Sequence, residues 1–238
     1  MTRVAVRLLI VEDDDRVRAS MRLALEDEGY AVSEAPGAED AIASLARHGA
    51  PDVMIVDLML GGMDGFSCIR HVRQSSDVPI IVVSARVDTH DVVAALEAGA
   101  DDYVTKPFQI KEITARLRAL RRRATAVGGP GGPREIVLDS DPDRPLVLSI
   151  AAGTVRRGDR PLHLTLTEFR LLCELATEPG RVLSRQALLT RVWDRGFFGD
   201  ERIVDVHVRR LRTKIERDPS DPRIVTTVRG LGYRLDVA

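Results

Sequence analysis

The sequence predicts an α/β module, built on a doubly wound five-stranded parallel sheet, followed by a smaller α+β module of helices and short strands. The first observation behind this is the run Val53, Met54, Ile55, Val56, apolar without alternation and ended by a single carboxylate, Asp57. An unbroken short apolar run marks a strand buried on both faces, and such strands belong to parallel sheets covered by helices. Three other stretches repeat the design. Residues 8–11 run into Glu12, Asp13 and Asp14, residues 80–83 into Ser84, and residues 103–105 into Lys106. The last observation is charge: residues 1–120 hold 13 basic and 20 acidic side chains, whereas residues 121–238 hold 22 and 16. An acidic first half joined to a basic second half suggests a module that meets a polyanion.

In chain order, a strand at 8–11 leads to a helix at about 15–28 with Val17, Met21, Ala24 and Leu25 on one face, closed by Gly29. A strand at 30–34 and a helix at 38–47 follow, then the strand ending at Asp57, a glycine-rich loop and a helix at 66–73. Strand 80–84, helix 91–98, strand 103–105 and helix 110–123 complete five alternations, which calls for right-handed crossovers. Residues 124–133 contain Gly128, Gly129, Pro130, Gly131, Gly132 and Pro133 and read as a flexible linker. The expected division is 1–124, a linker at 125–134, and 135–238. The second half offers short strands at 135–138, 146–150, 154–156 and 162–164. Thr165 with Glu168 fits a capping box opening a helix to Ala176; Ser184 can cap a second helix to about Trp193, and a third spans about 201–217. Segments 224–228 and 233–235 flank a glycine turn. Three helices and a hairpin outline a winged helix-turn-helix.

No stretch has the length of a membrane span, and residues 1–11 lack the shape of a signal peptide. Cys68 and Cys173 sit far apart in helical patterns and read as reduced, and the five histidines show no metal spacing. A cytoplasmic protein that does not enter a membrane is the simple expectation.

Strand ends that present carboxylates, a hydroxyl and an amine to one sheet edge describe a site, because open α/β sheets bind ligands there. Adjacent acids after the first strand and Asp57 after the third can hold a hard cation such as Mg²⁺. Asp57 could then attack phosphorus and form an aspartyl phosphate, with Lys106 pairing a phosphoryl oxygen and Ser84 donating to another. The chain has only three lysines, Lys106, Lys111 and Lys214, against 32 arginines. A lysine kept directly before Pro107 suits a compact charge in a tight phosphate pocket. In the basic half, Ile203 or Val204, Val208, Leu211 and Ile215 can face a core. Arg202, Asp205, Val206, Arg209, Arg210, Arg212 and Lys214 are then left for another surface. With His207 in the same run and Thr227 and Arg229 on the hairpin, these are the candidate DNA contacts, the helix entering the major groove.

The motifs LLIVEDDD, IVDLMLGGMDG, VVSAR, GADDYVTKPF, LTLTEFRLL, VDVHVRRLRTKIE and VRGLGYR together resemble two-component response regulators of the OmpR/PhoB winged-helix family over essentially the full length. The resemblance implies a flavodoxin/CheY-like receiver whose Asp57 accepts a phosphoryl group from a sensor histidine kinase. Asp13, Asp57 and the Met59 carbonyl would bind Mg²⁺ with Glu12 assisting. Ser84 and Tyr103 would form a switch pair, and Lys106 would sense the phosphate. It also implies a homodimer on activation and binding to direct repeats of double-stranded DNA, with RNA polymerase as a further candidate partner. Two positions depart from the pattern. Gly61 stands where proline is usual, which implies a looser loop, and Val92 where a basic residue commonly makes an inter-subunit pair. Glu97 with Arg118 and Asp102 with Arg116 remain as candidate pairs. Two other readings stay open: a small-molecule phosphatase or phosphotransferase, and a constitutive DNA-binding regulator whose receiver only dimerises.

Overall fold

A computed structural model describes residues 5–126, 135–193 and 201–237, so residues 127–134 of the expected linker lie outside the described residues. The chain divides into two compact units, Met1–Arg118 and Ala119–Ala238. The first runs β1 (Val6–Val11), α1 (Asp15–Asp27), β2 (Tyr30–Ala35), α2 (Ala38–His48), β3 (Val53–Val56), α3 (Gly65–Arg73), β4 (Ile80–Ser84), α4 (Thr89–Ala98) and β5 (Asp102–Thr105), and α5 (Ile110–Ala126) follows. The strands pair in the order β2-β1-β3-β4-β5, every neighbour parallel.

The apolar runs do what their lack of alternation predicts. All four residues of β3 and all five of β4 are buried. Side chains of this kind contribute ~1.5–3 kcal/mol each when removed from water. Because the order reverses between β1 and β3, a crevice opens at their carboxyl ends, and Glu12, Asp13 and Asp57 are the residues that leave the strands there. Three helices starting at this edge, α1, α3 and α4, are capped by aspartates. Asp14 accepts from the Arg16 and Val17 amides, Asp64 from Ser67 and Asp88 from His90. Asp14 is thereby committed to α1.

The second unit contains an antiparallel sheet, β6 (Glu135–Asp139), β7 (Leu146–Ser149), β8 (Thr154–Arg157) and β9 (Arg160–Leu162), in chain order. The strand expected at 162–164 begins earlier. Arg157 pairs with Arg160 across a two-residue turn in which Gly158 takes φ +57°, so the hairpin closes before residue 162. After α6 (Leu166–Ala176) come β10 (Val182–Leu183), α7 (Arg185–Trp193), α8 (Arg202–Ile215), β11 (Val225–Val228) and β12 (Gly232–Leu235). The capping box at Thr165 and Glu168 is formed in both directions. The terminal hairpin is a three-stranded sheet, β10-β12-β11, and β10 is an addition to the expectation. Two residues are too few to show a period; β10 exists because Val182 and Leu183 pair with Arg234 and Tyr233. Gly232 permits that pairing, since a Cβ there would stand 2.1 Å from the Leu183 carbonyl oxygen. No helix among the described residues is long and apolar enough to cross a membrane.

Candidate functional site

At the carboxyl edge of the first sheet, Glu12, Asp13 and Asp57 each offer a carboxylate oxygen, all within 4.8 Å of one another. Glu12 and Asp57 are buried, Asp13 is exposed. Lys106 leaves the end of β5 and its Nζ donates to Glu12 Oε2 and to Asp57 Oδ2, both at 2.7 Å. Three carboxylates against one ammonium leave two formal negative charges in a set of hard oxygen donors, which fits a divalent cation such as Mg²⁺. The second oxygen of Asp57 accepts from the Met59 amide at 3.0 Å. Ser84, fully buried, ends β4 at the same edge of the sheet. Tyr103 is also buried, and its hydroxyl donates to the Arg86 carbonyl at 2.7 Å, tying β5 to the segment that follows Ser84.

Burial holds the Glu12 carboxyl above its ordinary 4.5; Lys106 pulls it down and the Asp57 charge adds to the rise. Burial alone would lower the Lys106 ammonium, but the bonds and charges of Asp57 and Glu12 outweigh it and leave it raised. Glu12 therefore has a testable pH dependence. A carboxyl whose folded value exceeds its unfolded one binds protons more readily in the folded chain, so stability falls as pH rises between the two. A cation needs the ionised form, so magnesium affinity rises over that same interval. In metal-free urea unfolding, wild type is expected to lose stability relative to Glu12→Gln as pH climbs from 4.5 through the raised value. Parallel curves for the two proteins would show that this burial has no such effect.

In the second unit, α8 carries the basic run. Ile203, Val204, Val208, Leu211 and Ile215 are buried, as the period requires. Val206 and His207 are buried too, and this corrects their place among exposed DNA contacts. His207 lies three residues after Val204 and four before Leu211, on the inward stripe, and its ring meets Trp193 at 5.2 Å. Val206 follows Ile203 by three and turns inward for the same reason. Arg202, Arg209, Thr227 and Arg229 are exposed, while Asp205, Arg210, Arg212 and Lys214 are half-buried. Arg212 is spent on the wing, donating to the Val225 carbonyl and to Thr227 Oγ1, each at 2.8 Å. Asp205 accepts from Arg185 Nε at 2.7 Å and from the Tyr233 hydroxyl at 2.6 Å. Burial, with that bond, pushes Tyr233 up to about 12.

Both sites recur together in known proteins. Residues 8–118 match the response regulator receiver domain, and residues 159–235 match the family described as transcriptional regulatory protein, C terminal. The chain is 46% identical over 229 residues to the transcriptional regulatory protein AfsQ1 of Streptomyces coelicolor, covering 96% of this chain and 97% of that one. Among solved structures, the response regulator DrrB, a Thermotoga maritima OmpR/PhoB homolog, is similar with a TM-score of 0.51 and 28% identity over 98% of this chain and all of that one. The chain is a response regulator of the OmpR/PhoB family. The DNA-binding response regulator MtrA of Mycobacterium tuberculosis is 39% identical over 234 residues, 98% of each chain. This response regulator is a DNA-binding transcriptional regulator under phosphorylation control.

On the α4–β5–α5 side of the receiver, Asp102 is buried and bound by Arg116 Nη1 at 2.9 Å, and Arg116 also holds Glu112 at 2.7 Å. Arg118 reaches Glu28 at 2.5 Å, and Glu97 is exposed on α4. The pairs of Arg116 and Arg118 are thus made inside one receiver. Glu39, Gly65 and the charge partners of Glu168 escaped the sequence reading. Glu39 accepts from the Met63 amide in the loop after Asp57. A glycine following the Asp64 cap was the available signal for Gly65, whereas nothing in the spacing connects Glu39 to residue 63.

Proposed function

We propose that Asp57 takes a phosphoryl group from the phosphohistidine of a sensor kinase and that this event controls DNA binding. One oxygen of Asp57 forms the bond to phosphorus while the phosphorus–nitrogen bond of the donor breaks. The observation that carries this reading is the buried Asp57 carboxylate held at 2.7 Å by the Lys106 ammonium at the edge of the sheet. Bound at Glu12, Asp13, Asp57 and the Met59 carbonyl, Mg²⁺ would neutralise charge on the transferred group. Lys106 would move its pairing from the carboxylates to a phosphoryl oxygen, and Ser84 would donate to another. Turnover is confined to Asp57 itself and to slow hydrolysis of its phosphate, with no separate substrate. Displacement at Ser84 reaches α4 through the Arg86 carbonyl, which already accepts from Tyr103.

The face formed by α4, β5 and α5 then meets its copy in a second protomer, with Glu97, Asp102, Arg116 and Arg118 as its charges. Since Arg116 and Arg118 already have partners, dimer pairs are exchanged rather than added, and the exposed pair, Arg118 with Glu28, is of a kind that gives ~0–1 kcal/mol. A modest dimer that gains strength on adjacent half-sites follows. Arg202, Arg209 and Arg229 supply the exposed cations for direct-repeat DNA.

Selection of bound duplexes from random DNA, with and without a small phosphodonor and Mg²⁺, tests this. Tandem repeats about one helical turn apart are expected with donor for wild type and not for Asp57→Ala. Enrichment of one site by both proteins regardless of donor would leave a constitutive DNA-binding regulator.

A further inference from the structure

Between β3 and α3 the chain gives alternate backbone amides to three carboxylates. The Met59 amide donates to Asp57 Oδ1 at 3.0 Å, the Gly61 amide to Asp13 Oδ2 at 3.2 Å, and the Met63 amide to Glu39 Oε1 at 3.2 Å. The middle contact joins this loop to a member of the acidic cluster. Proline, expected at position 61 from the resemblance, has no N–H and could not make it. The glycine adds a tie between loop and pocket that a proline would forfeit.

We infer that the Gly61 amide is a positioning group for the metal site: it orients the Asp13 carboxylate and leaves its other oxygen to meet Mg²⁺. Asp13 is exposed, so without such a bond its carboxylate can rotate away from Glu12 and Asp57. Hydrogen bonds to a ligating carboxylate act this way in metal sites generally. Glu39 keeps the donor in place from the other side. It holds the Met63 amide and lies against Gly62, where φ is +78° and a Cβ would stand 3.3 Å from Glu39 Oε1.

The inference rests on the magnesium reading of the pocket, and two substitutions separate them. At Gly61 a Cβ would meet only Asp13 Oδ2, at 3.9 Å, so Gly61→Ala fits and keeps the N–H. Gly61→Pro removes it. Calorimetric titration of the full chain with Mg²⁺ is expected to give an unchanged affinity for Gly61→Ala and one about tenfold weaker for Gly61→Pro. Equal affinity for Gly61→Pro and wild type overturns the inference. An equal loss in both variants also overturns it, because volume rather than the donor would then be responsible. Should wild type bind no Mg²⁺, the metal reading itself falls. Amide exchange at residue 61 decides the matter independently of whether Gly61→Pro folds. That amide is expected to be protected in wild type and to exchange faster in Asp13→Ala, and equal rates would overturn the tie.

Discussion

Gly65→Ala is expected to slow phosphoryl incorporation at Asp57 by about a hundredfold, without touching any group that reacts. Gly65 opens α3 directly behind the phosphorylation loop, and its amide donates to the Leu58 carbonyl at 3.1 Å. A Cβ on it would lie 2.1 Å from the Asp57 carbonyl oxygen and 2.6 Å from Leu58 Cα. Both are backbone atoms, so no rotamer change relieves the overlap. Either α3 retreats or the Asp57–Leu58 peptide shifts by about 1 Å, the scale at which misplaced groups lose two orders of magnitude in rate. Overpacking of this kind costs ~1–3 kcal/mol as well. Initial rates of labelling from a small phosphodonor, with receiver unfolding followed in urea, measure both effects. Wild-type labelling by Gly65→Ala would mean that the close approach of α3 has no part in placing Asp57.

Glu168→Ala is expected to cost the winged-helix domain ~3–5 kcal/mol, the usual consequence of removing one partner from a buried charge network. Glu168 is fully buried and serves two elements. Its Oε2 accepts from the Thr165 amide at 2.9 Å, closing the capping box of α6, and from Lys214 Nζ of α8 at 2.7 Å. Arg210 Nη2 lies 3.0 Å from Oε1. About 1 kcal/mol of the loss belongs to the cap. The remainder comes from two half-buried cations, four residues apart on one face of α8, that lose the carboxylate between them. For a domain of this size a loss of 3 kcal/mol lowers the melting temperature by roughly 10–20 °C. Glu168→Gln keeps an acceptor for Thr165 but loses the charge, so it should fall between wild type and alanine. Thermal unfolding of the three proteins checks the order; an alanine variant that melts with wild type would mean solvent already satisfies Arg210 and Lys214.

The same side chain shows where sequence reading reaches its limit. Thr165 and Glu168 are three apart on one helix, so their capping box is a local matter and was legible. That Glu168 also neutralises Arg210 and Lys214 depends on α6 meeting α8, which no spacing encodes. Likewise, the apolar run ending at Asp57 declared a buried strand and a carboxylate at its edge, because burial on both faces removes alternation from the sequence itself. His207 is polar by type but falls on the inward stripe of α8, where position along the helix decides burial. Arg116 and Asp102, 14 residues apart, are paired within one receiver, and only the folded chain brings them together.

By itself, then, the sequence determined what depends on neighbours along the chain: strands, helices, caps, the acidic strand ends and the basic helix. Tertiary structure alone decided which charges are already spent, that β10 exists, and that the Gly61 amide reaches Asp13. The physical reason is distance. Hydrogen bonds and ion pairs act over about 3 Å in space, and only folding sets that separation for residues far apart in sequence.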